Sequence, residues 1–258
     1  CYHRCPFHRA RAGLPPRLPR PLSPKVRSMT PVPSLARIGA VAATSGALVL
    51  AVGTAFHPMA ADPADLQAAF AEYARDPYWV ASHLAQFAGA ALIGVGLLAL
   101  TQRLVAGPAA AWAWIGALGA TASVTLAAVL QAVDGVALKV MAVRWLAAGG
   151  VAKGPAFEAA VAVRQIEIGV ASLLSIVFGL TVLVYASAMW ASRAGPRPLA
   201  GLGLASGAGT PAAGVVAAYD GFSELNMLLT SVTGPLSALW AMLLGVWLWR
   251  TAPEMLDR

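Results

Sequence analysis

AAWAWIGALGATASVTLAAVLQAV fills residues 110–133 without a single charged side chain. Wound as an α-helix at about 1.5 Å per residue, such a run reaches about 36 Å, enough to cross the roughly 30 Å of hydrocarbon in a bilayer. A helix is the expected form, because every backbone N–H and C=O must find its partner inside the lipid. The period-2 alternation that a barrel strand requires is absent. Five further segments read the same way: 38–56, 80–100, 166–190, 199–219 (rich in Gly and Ala) and 227–249. Six spans are therefore expected, packed as an all-α polytopic membrane helix bundle.

The composition agrees. Of 258 residues, 59% are hydrophobic and 11% charged, and the mean hydropathy is +0.69. Soluble domains carry about 25% charged residues, and much of any water-soluble exterior must be polar. Span one has a competing reading as a cleaved signal peptide, since Arg37 precedes it and HPMAAD follows. Its apolar run exceeds the usual length of about 7–15 residues for a signal core, which favours a retained span.

Net charge is +7, with eight of the 18 Lys and Arg residues inside residues 1–37. Basic charge beside spans reads as an orientation signal, and nothing in it resembles a nucleic-acid footprint. A cytoplasmic N-terminus puts that tail inside with Arg103, Arg193, Arg197, Arg250 and Arg258. Arg75, Lys139, Arg144, Lys153 and Arg164 fall outside. The expected topology is N-in, C-in. Tryptophans 79, 112, 114, 190, 247 and 249 fall near the expected interfaces. Residues 1–34 read as a disordered Pro- and Arg-rich tail, and 1–28 as an extension upstream of Met29. Residues 35–258 form the membrane domain. Cys1, His3, Cys5 and His8 are zinc-ligand types, but their spacing is too tight for the usual loop between ligand pairs.

Between spans one and two, Asp62-Pro63 reads as an N-cap with proline at the first helical position. Leu66, Phe70 and Tyr73 then form one apolar stripe. A short amphipathic helix near 63–75 is expected on the outer surface, lying on the bundle or in the headgroups. Asp76-Pro77 repeats the device and opens span two. Span three continues as helix through Leu146 until Gly149-Gly150. Span four begins near Pro155, so helices three and four project beyond the membrane on the outer side.

Polar groups gather at that side. His57 closes span one. His83 and Gln86 open span two, and Gln131 and Asp134 close span three, each pair at i, i+3 and so on one helix face. Arg164, Gln165 and Glu167 open span four, Asp220 ends span five, and Glu224 and Asn226 open span six. A charge deep in lipid costs about 3 kcal/mol on insertion scales, so such faces turn inward or reach water. A polar pocket is expected from His83, Gln86, Gln131, Asp134, Arg164, Glu167 and Asn226. Asp134 would pair with a cationic ligand or with Arg164, and His83 would exchange a proton. The plainer alternative is a wet rim of helix ends, with Arg164 and Glu167 a local ion pair. The glycines of 199–219 and Gly234-Pro235 read as close packing and kinks rather than as interrupted transporter helices.

No P-loop, HExxH, CxxC or nucleophile motif occurs, and GLGLASG lacks the strand and spacing of a dinucleotide fingerprint. His57, His83, Asp134, Glu167 and Glu224 are candidate metal ligands of zinc or non-haem type. A haem between His57 and His83 is a further candidate.

HP at 57–58, DPYWVASH at 76–83, AVDGVALK at 132–139 and RQIE at 164–167 together resemble bacterial six-helix integral membrane proteins grouped as a domain of unknown function. That resemblance covers roughly residues 35–250. It implies a six-helix fold in a bacterial plasma membrane and supplies no activity. The leading functional expectation is small-molecule binding or transport-like work at an outward-facing pocket. A non-catalytic membrane subunit with a protein partner comes second, and a metal-dependent membrane hydrolase third.

Overall fold

A computed structural model describes residues 34–252. The tail, with Cys1, His3, Cys5 and His8, lies outside the described residues. The order is α1 (Leu35–Ala55), α2 (Leu66–Arg75), α3 (Trp79–Val105), α4 (Ala110–Gln131), a π-helical segment (Ala132–Leu138), α5 (Lys139–Ala147), a 3₁₀ turn (Gly150–Ala152), α6 (Lys153–Ser192), α7 (Arg197–Asp220) and α8 (Glu224–Thr251). Among the described residues, six stretches are long and apolar enough to span a membrane: α1, α3, α4 continued through α5, the 3₁₀ turn with α6, α7 and α8. The protein is an all-helical bundle of the multi-pass membrane type.

Small residues decide which helices meet. α1 packs along α3, where Gly46 and Gly89 oppose each other. A Cβ on Gly89 would stand 2.6 Å from the Leu50 nitrogen and 2.7 Å from the Gly46 carbonyl oxygen. Such contact brings backbones together without a hydrophobic driving force, the usual basis of helix association in lipid. α7 runs unbroken through Pro211. Its Gly207 lies against the Leu183 backbone of α6, its Gly214 faces the Ser172 carbonyl, and the Ser172 hydroxyl donates to the Gly214 carbonyl at 2.8 Å. The glycines of span five thus serve packing, Gly207 and Gly214 against α6, Gly209 against Thr233 of α8, and Gly203 between Ala186 and Trp240. α8 lies against α1 and α7, with Asn226, Thr233 and Ser237 buried and Thr230 exposed.

The core of the spanning body joins Leu97, Leu100, Leu104, Tyr185, Met189, Trp240, Leu244 and Leu248. Its polar tie is the contact between the Tyr185 and Thr101 hydroxyls, 2.6 Å apart. Outward faces carry apolar side chains such as Val41, Leu118, Leu173 and Val232, as contact with lipid requires. Trp112, Trp114, Trp190 and Trp249 are exposed near helix ends. Trp79 departs from the sequence expectation: it is 0% exposed and belongs to the interior.

α6 has 40 residues, about 60 Å at the helical rise and twice the hydrocarbon thickness. The stretch from α4 through α5 has 38. Both project past the spanning body, and α2 docks on the projection. Phe70, Tyr73, Trp79, Leu138, Ala142, Trp145 and Ala160 form a second apolar cluster there. The rings of Phe70, Trp145 and Phe157 meet pairwise at 5.7–6.2 Å, in the tilted and edge arrangements that aromatic pairs prefer.

Two expected caps shift. Asp62 closes a turn by accepting the Ala64 N–H, while Asp65 accepts the N–H groups of Gln67 and Ala68 and starts α2 at Leu66. An aspartate three residues later offers the same chemistry with the helix already turning, so the later one wins. Asp76 accepts the Tyr78 N–H, and α3 begins at Trp79.

The cationic side chains of the projection are fasteners. Lys139 Nζ donates to the carbonyls of Tyr73, Ala74 and Asp76 at 2.7, 3.1 and 2.7 Å, satisfying the C-terminal end of α2. Lys153 Nζ does the same for α5 through Trp145 and lies 4.4 Å from the centre of its ring. Hydrogen bonds to charged groups contribute about 1.5–3 kcal/mol each. Lys139→Met should therefore loosen α2 while the spans stay folded. Hydrogen exchange should quicken across residues 66–75 by about tenfold or more, the equivalent of about 1.4 kcal/mol. Unchanged exchange there would contradict this role.

Candidate functional site

Where α2, α3 and the π segment meet, Trp79 stands at the centre of a stacked group. Its ring centroid lies 4.3 Å from that of Tyr73, 4.5 Å from His83 and 5.0 Å from His57. Its indole N–H donates to the Asp134 carbonyl at 3.1 Å. The first turn of α3 supplies both Trp79 and His83, four residues apart on one face. His57 comes from the loop after α1. Glu72 of α2 pins that loop, its carboxylate oxygens accepting the N–H groups of Ala60 and Ala61 at 3.0 and 2.9 Å.

The π segment brings in the carboxylate. π turns are rare and arise mostly as single insertions in α-helices, often at functional sites. Here the wide turn carries Asp134 and Gly135. A Cβ on Gly135 would sit 2.6 Å from His83 Cβ, so glycine is what lets α3 come so near. Asp134 Oδ2 then lies 2.9 Å from His83 Nε2. Asp134 Oδ1 is buried with no hydrogen-bond partner among the described residues.

The histidines are oriented from behind. His83 Nδ1 donates to the Trp79 carbonyl at 2.6 Å, and His57 Nδ1 to the Pro58 carbonyl at 2.9 Å. A carbonyl only accepts, so Nδ1 carries the proton in each and Nε2 is the variable position. Burial, and next the neighbouring His83, push the His57 imidazole below its usual range. Burial likewise holds the Tyr73 phenol above its ordinary value. One nitrogen of each histidine and one Asp134 oxygen all lie within 4.8 Å of one another.

Beside this group, Arg164 donates from Nη1 to both Glu167 oxygens, at 2.9 and 3.0 Å. The guanidinium lies 4.5 Å from the Phe222 ring centre and 5.5 Å from that of Tyr73. The pair is not the exposed local bridge that one reading of the sequence offers, since Arg164 is 4% and Glu167 3% exposed.

One helical turn further into the bundle, Gln131 Nε2 donates to Gln86 Oε1 at 3.3 Å. The two amides border a cavity of about 250 Å³ among α1, α3, α4 and α6. Its other walls are mostly apolar, with Leu50, Ile93, Leu97, Val124, Leu174 and Phe178. Gln131 Oε1 is buried and has no hydrogen-bond partner among the described residues.

The expected pocket residues thus sort into three couples. His83 takes Asp134, Gln86 takes Gln131, and Arg164 takes Glu167. The expected Asp134–Arg164 pairing is corrected, because the wide turn aims Asp134 at α3. Asn226 donates to the Ala213 carbonyl at 2.8 Å and ties α8 to α7. Among the metal candidates, His57, His83 and Asp134 come together. Glu167 is held by Arg164, and Glu224 is exposed at the start of α8. A haem between the histidines does not fit, since their ring centroids are 4.9 Å apart and leave no gap for a macrocycle. Trp79, Tyr73 and Glu72 were absent from the expected site. The clue to Trp79 was its i, i+4 spacing to His83.

No protein-family model, curated protein or solved structure matches this chain.

Proposed function

We propose that this protein binds a small amphipathic molecule within the membrane. The apolar body of the ligand occupies the cavity among α1, α3, α4 and α6, and a donor group meets the Gln86–Gln131 amides. The observation that carries this reading is the free, buried Gln131 Oε1 at the border of an otherwise apolar hollow. An unmet acceptor in such surroundings costs about 1–3 kcal/mol and is satisfied by a hydroxyl or N–H from an occupant. Ligand sites commonly span about 300–1,000 Å³, so about 250 Å³ suits a small molecule or the end of a longer chain. We place the site in the outer half of a bacterial plasma membrane, from the basic-residue asymmetry and the family resemblance. We extend the proposal to transport-like or carrier work on such a molecule.

The test is thermal stabilisation of the purified full chain in nanodiscs by a panel of medium-chain alcohols, isoprenoid alcohols and monoacyl lipids. A true ligand at about 100 times its Kd adds about 2.7 kcal/mol, seen as a rise of several degrees in Tm. Ala90→Phe, which fills the cavity, and Gln131→Leu, which removes its acceptor, should each abolish the rise. If no panel member stabilises wild type, or if both variants respond like wild type, the reading is wrong.

A further inference from the structure

We propose that His57, His83 and Asp134 form a binding site for one divalent transition-metal ion of the zinc class. This goes beyond the amphiphile reading and does not depend on it, because the three residues lie a helical turn away from the cavity's amide border.

The donor set is two imidazoles and one carboxylate, which suits Zn²⁺ and other first-row divalent ions and recurs in open, three-ligand sites. The ligands come from three separate pieces of chain: the loop after α1, the first turn of α3 and the π segment. Chance clustering along one helix face is therefore not the cause. Metal–ligand bonds of about 2.0–2.2 Å place ligand atoms about 3.0–3.5 Å apart. His83 Nε2 and Asp134 Oδ2 are already 2.9 Å apart, and all three ligand atoms fit within 4.8 Å. A small adjustment of the His57 side chain, with its loop held by Glu72, closes the set.

Hydrogen bonding points the same way. A metal-bound histidine almost always donates its other ring N–H to a carbonyl, carboxylate or water. Both histidines do so, to Trp79 and to Pro58. His83 then faces a carboxylate oxygen with Nε2, and that close contact needs a cation between two acceptors, either a proton or a metal ion. The free Asp134 Oδ1 adds a second oxygen for the ion or for a bound water. Glu72 fixes the His57 loop through Ala60 and Ala61 and is a positioning residue.

Charge sets what else binds. A divalent ion with one carboxylate keeps one positive charge, beside an Arg164 guanidinium that contacts Glu167. The open coordination position therefore suits water, hydroxide or an anionic oxygen such as a carboxylate or phosphate.

The experiment uses the full chain in detergent, stripped with chelator and dialysed. It is titrated with Zn²⁺ by calorimetry and with Co²⁺ by visible ligand-field absorption. One ion per chain is expected, with Co²⁺ developing the bands of a low-coordinate site. His57→Gln and Asp134→Asn should each weaken binding by about a hundredfold or more, since loss of a ligand exceeds the 10–100-fold loss seen for outer-shell partners. Glu224→Gln should bind as wild type. His57→Gln lies in a half-buried loop, so it decides the matter if Asp134→Asn fails to fold. A proton-bridged pair with no metal role predicts no stoichiometric binding. That outcome, or wild-type affinity in His57→Gln, overturns the proposal. Because Ala90→Phe leaves these ligands untouched, it should bind Zn²⁺ normally even where it abolishes the amphiphile response.

Discussion

Arg164→Leu is expected to destabilise the protein by about 3–5 kcal/mol, the loss typical when one partner of a buried ion pair is removed. The reason lies less in the attraction lost than in the charge left behind. Glu167 is almost wholly enclosed, and both of its oxygens accept from the guanidinium. Without Arg164 its carboxylate must ionise unaided in a poorly solvated place or take up a proton. Arg164 also lies over the rings of Tyr73 and Phe222, so its truncation empties the space between α2 and the α7–α8 turn. The measurement is reversible unfolding of the reconstituted protein by denaturant or steric trapping. Arg164→Leu combined with Glu167→Leu should recover most of the loss, because apolar replacements of a buried pair are often neutral. If the single variant loses less than about 1 kcal/mol, the pair is solvated as surface pairs are.

Gly89→Val is the second large effect. Its Cβ meets backbone atoms of α1, the Leu50 nitrogen and the Gly46 carbonyl oxygen, and backbone cannot step aside as a side chain end can. Overpacking of this kind costs about 1–3 kcal/mol. Here the relief is separation of α1 from α3, which also withdraws Leu50 from the cavity wall. The distance between spin labels at the exposed Val52 of α1 and Leu84 of α3 should lengthen in the variant. An unchanged distance would show that the seam tolerates a side chain.

The six spans were legible because lipid imposes one simple demand, an unbroken apolar run of sufficient length. Runs such as 38–56 and 110–133 meet it in any tertiary context. The amphipathic stripe of Leu66, Phe70 and Tyr73 was equally plain, and α2 buries Phe70 and Tyr73. Its starting residue was not, since Asp62 and Asp65 offer equivalent caps and only the turn at Pro63-Ala64 decides between them. The spacing of His83 to Gln86 and of Gln131 to Asp134 marked two faces that do meet. The partner of Asp134 was not legible, because the π turn departs from 3.6 residues per turn beyond Gln131 and re-aims the side chain. Trp79 has the sequence position of an interfacial tryptophan, at a helix start, and nothing in the sequence tells of α2 folding over it. The cavity left no trace in the sequence at all, because hollows come from how four helices cross.

The wide turn at Ala132–Leu138 has a consequence for the whole projection. An α-helix advances about 100° per residue, so the azimuth of one end dictates that of the other. A π turn carries an extra residue and breaks that dictation. The lipid-embedded half of this long rod is thereby free to present its small faces to α3 and α6, while the distal half turns Lys139 toward α2 by an independent setting. The segment behaves as a phase shifter on a shaft: remove one residue and every feature beyond it swings by about 100°, with the membrane portion left as it was.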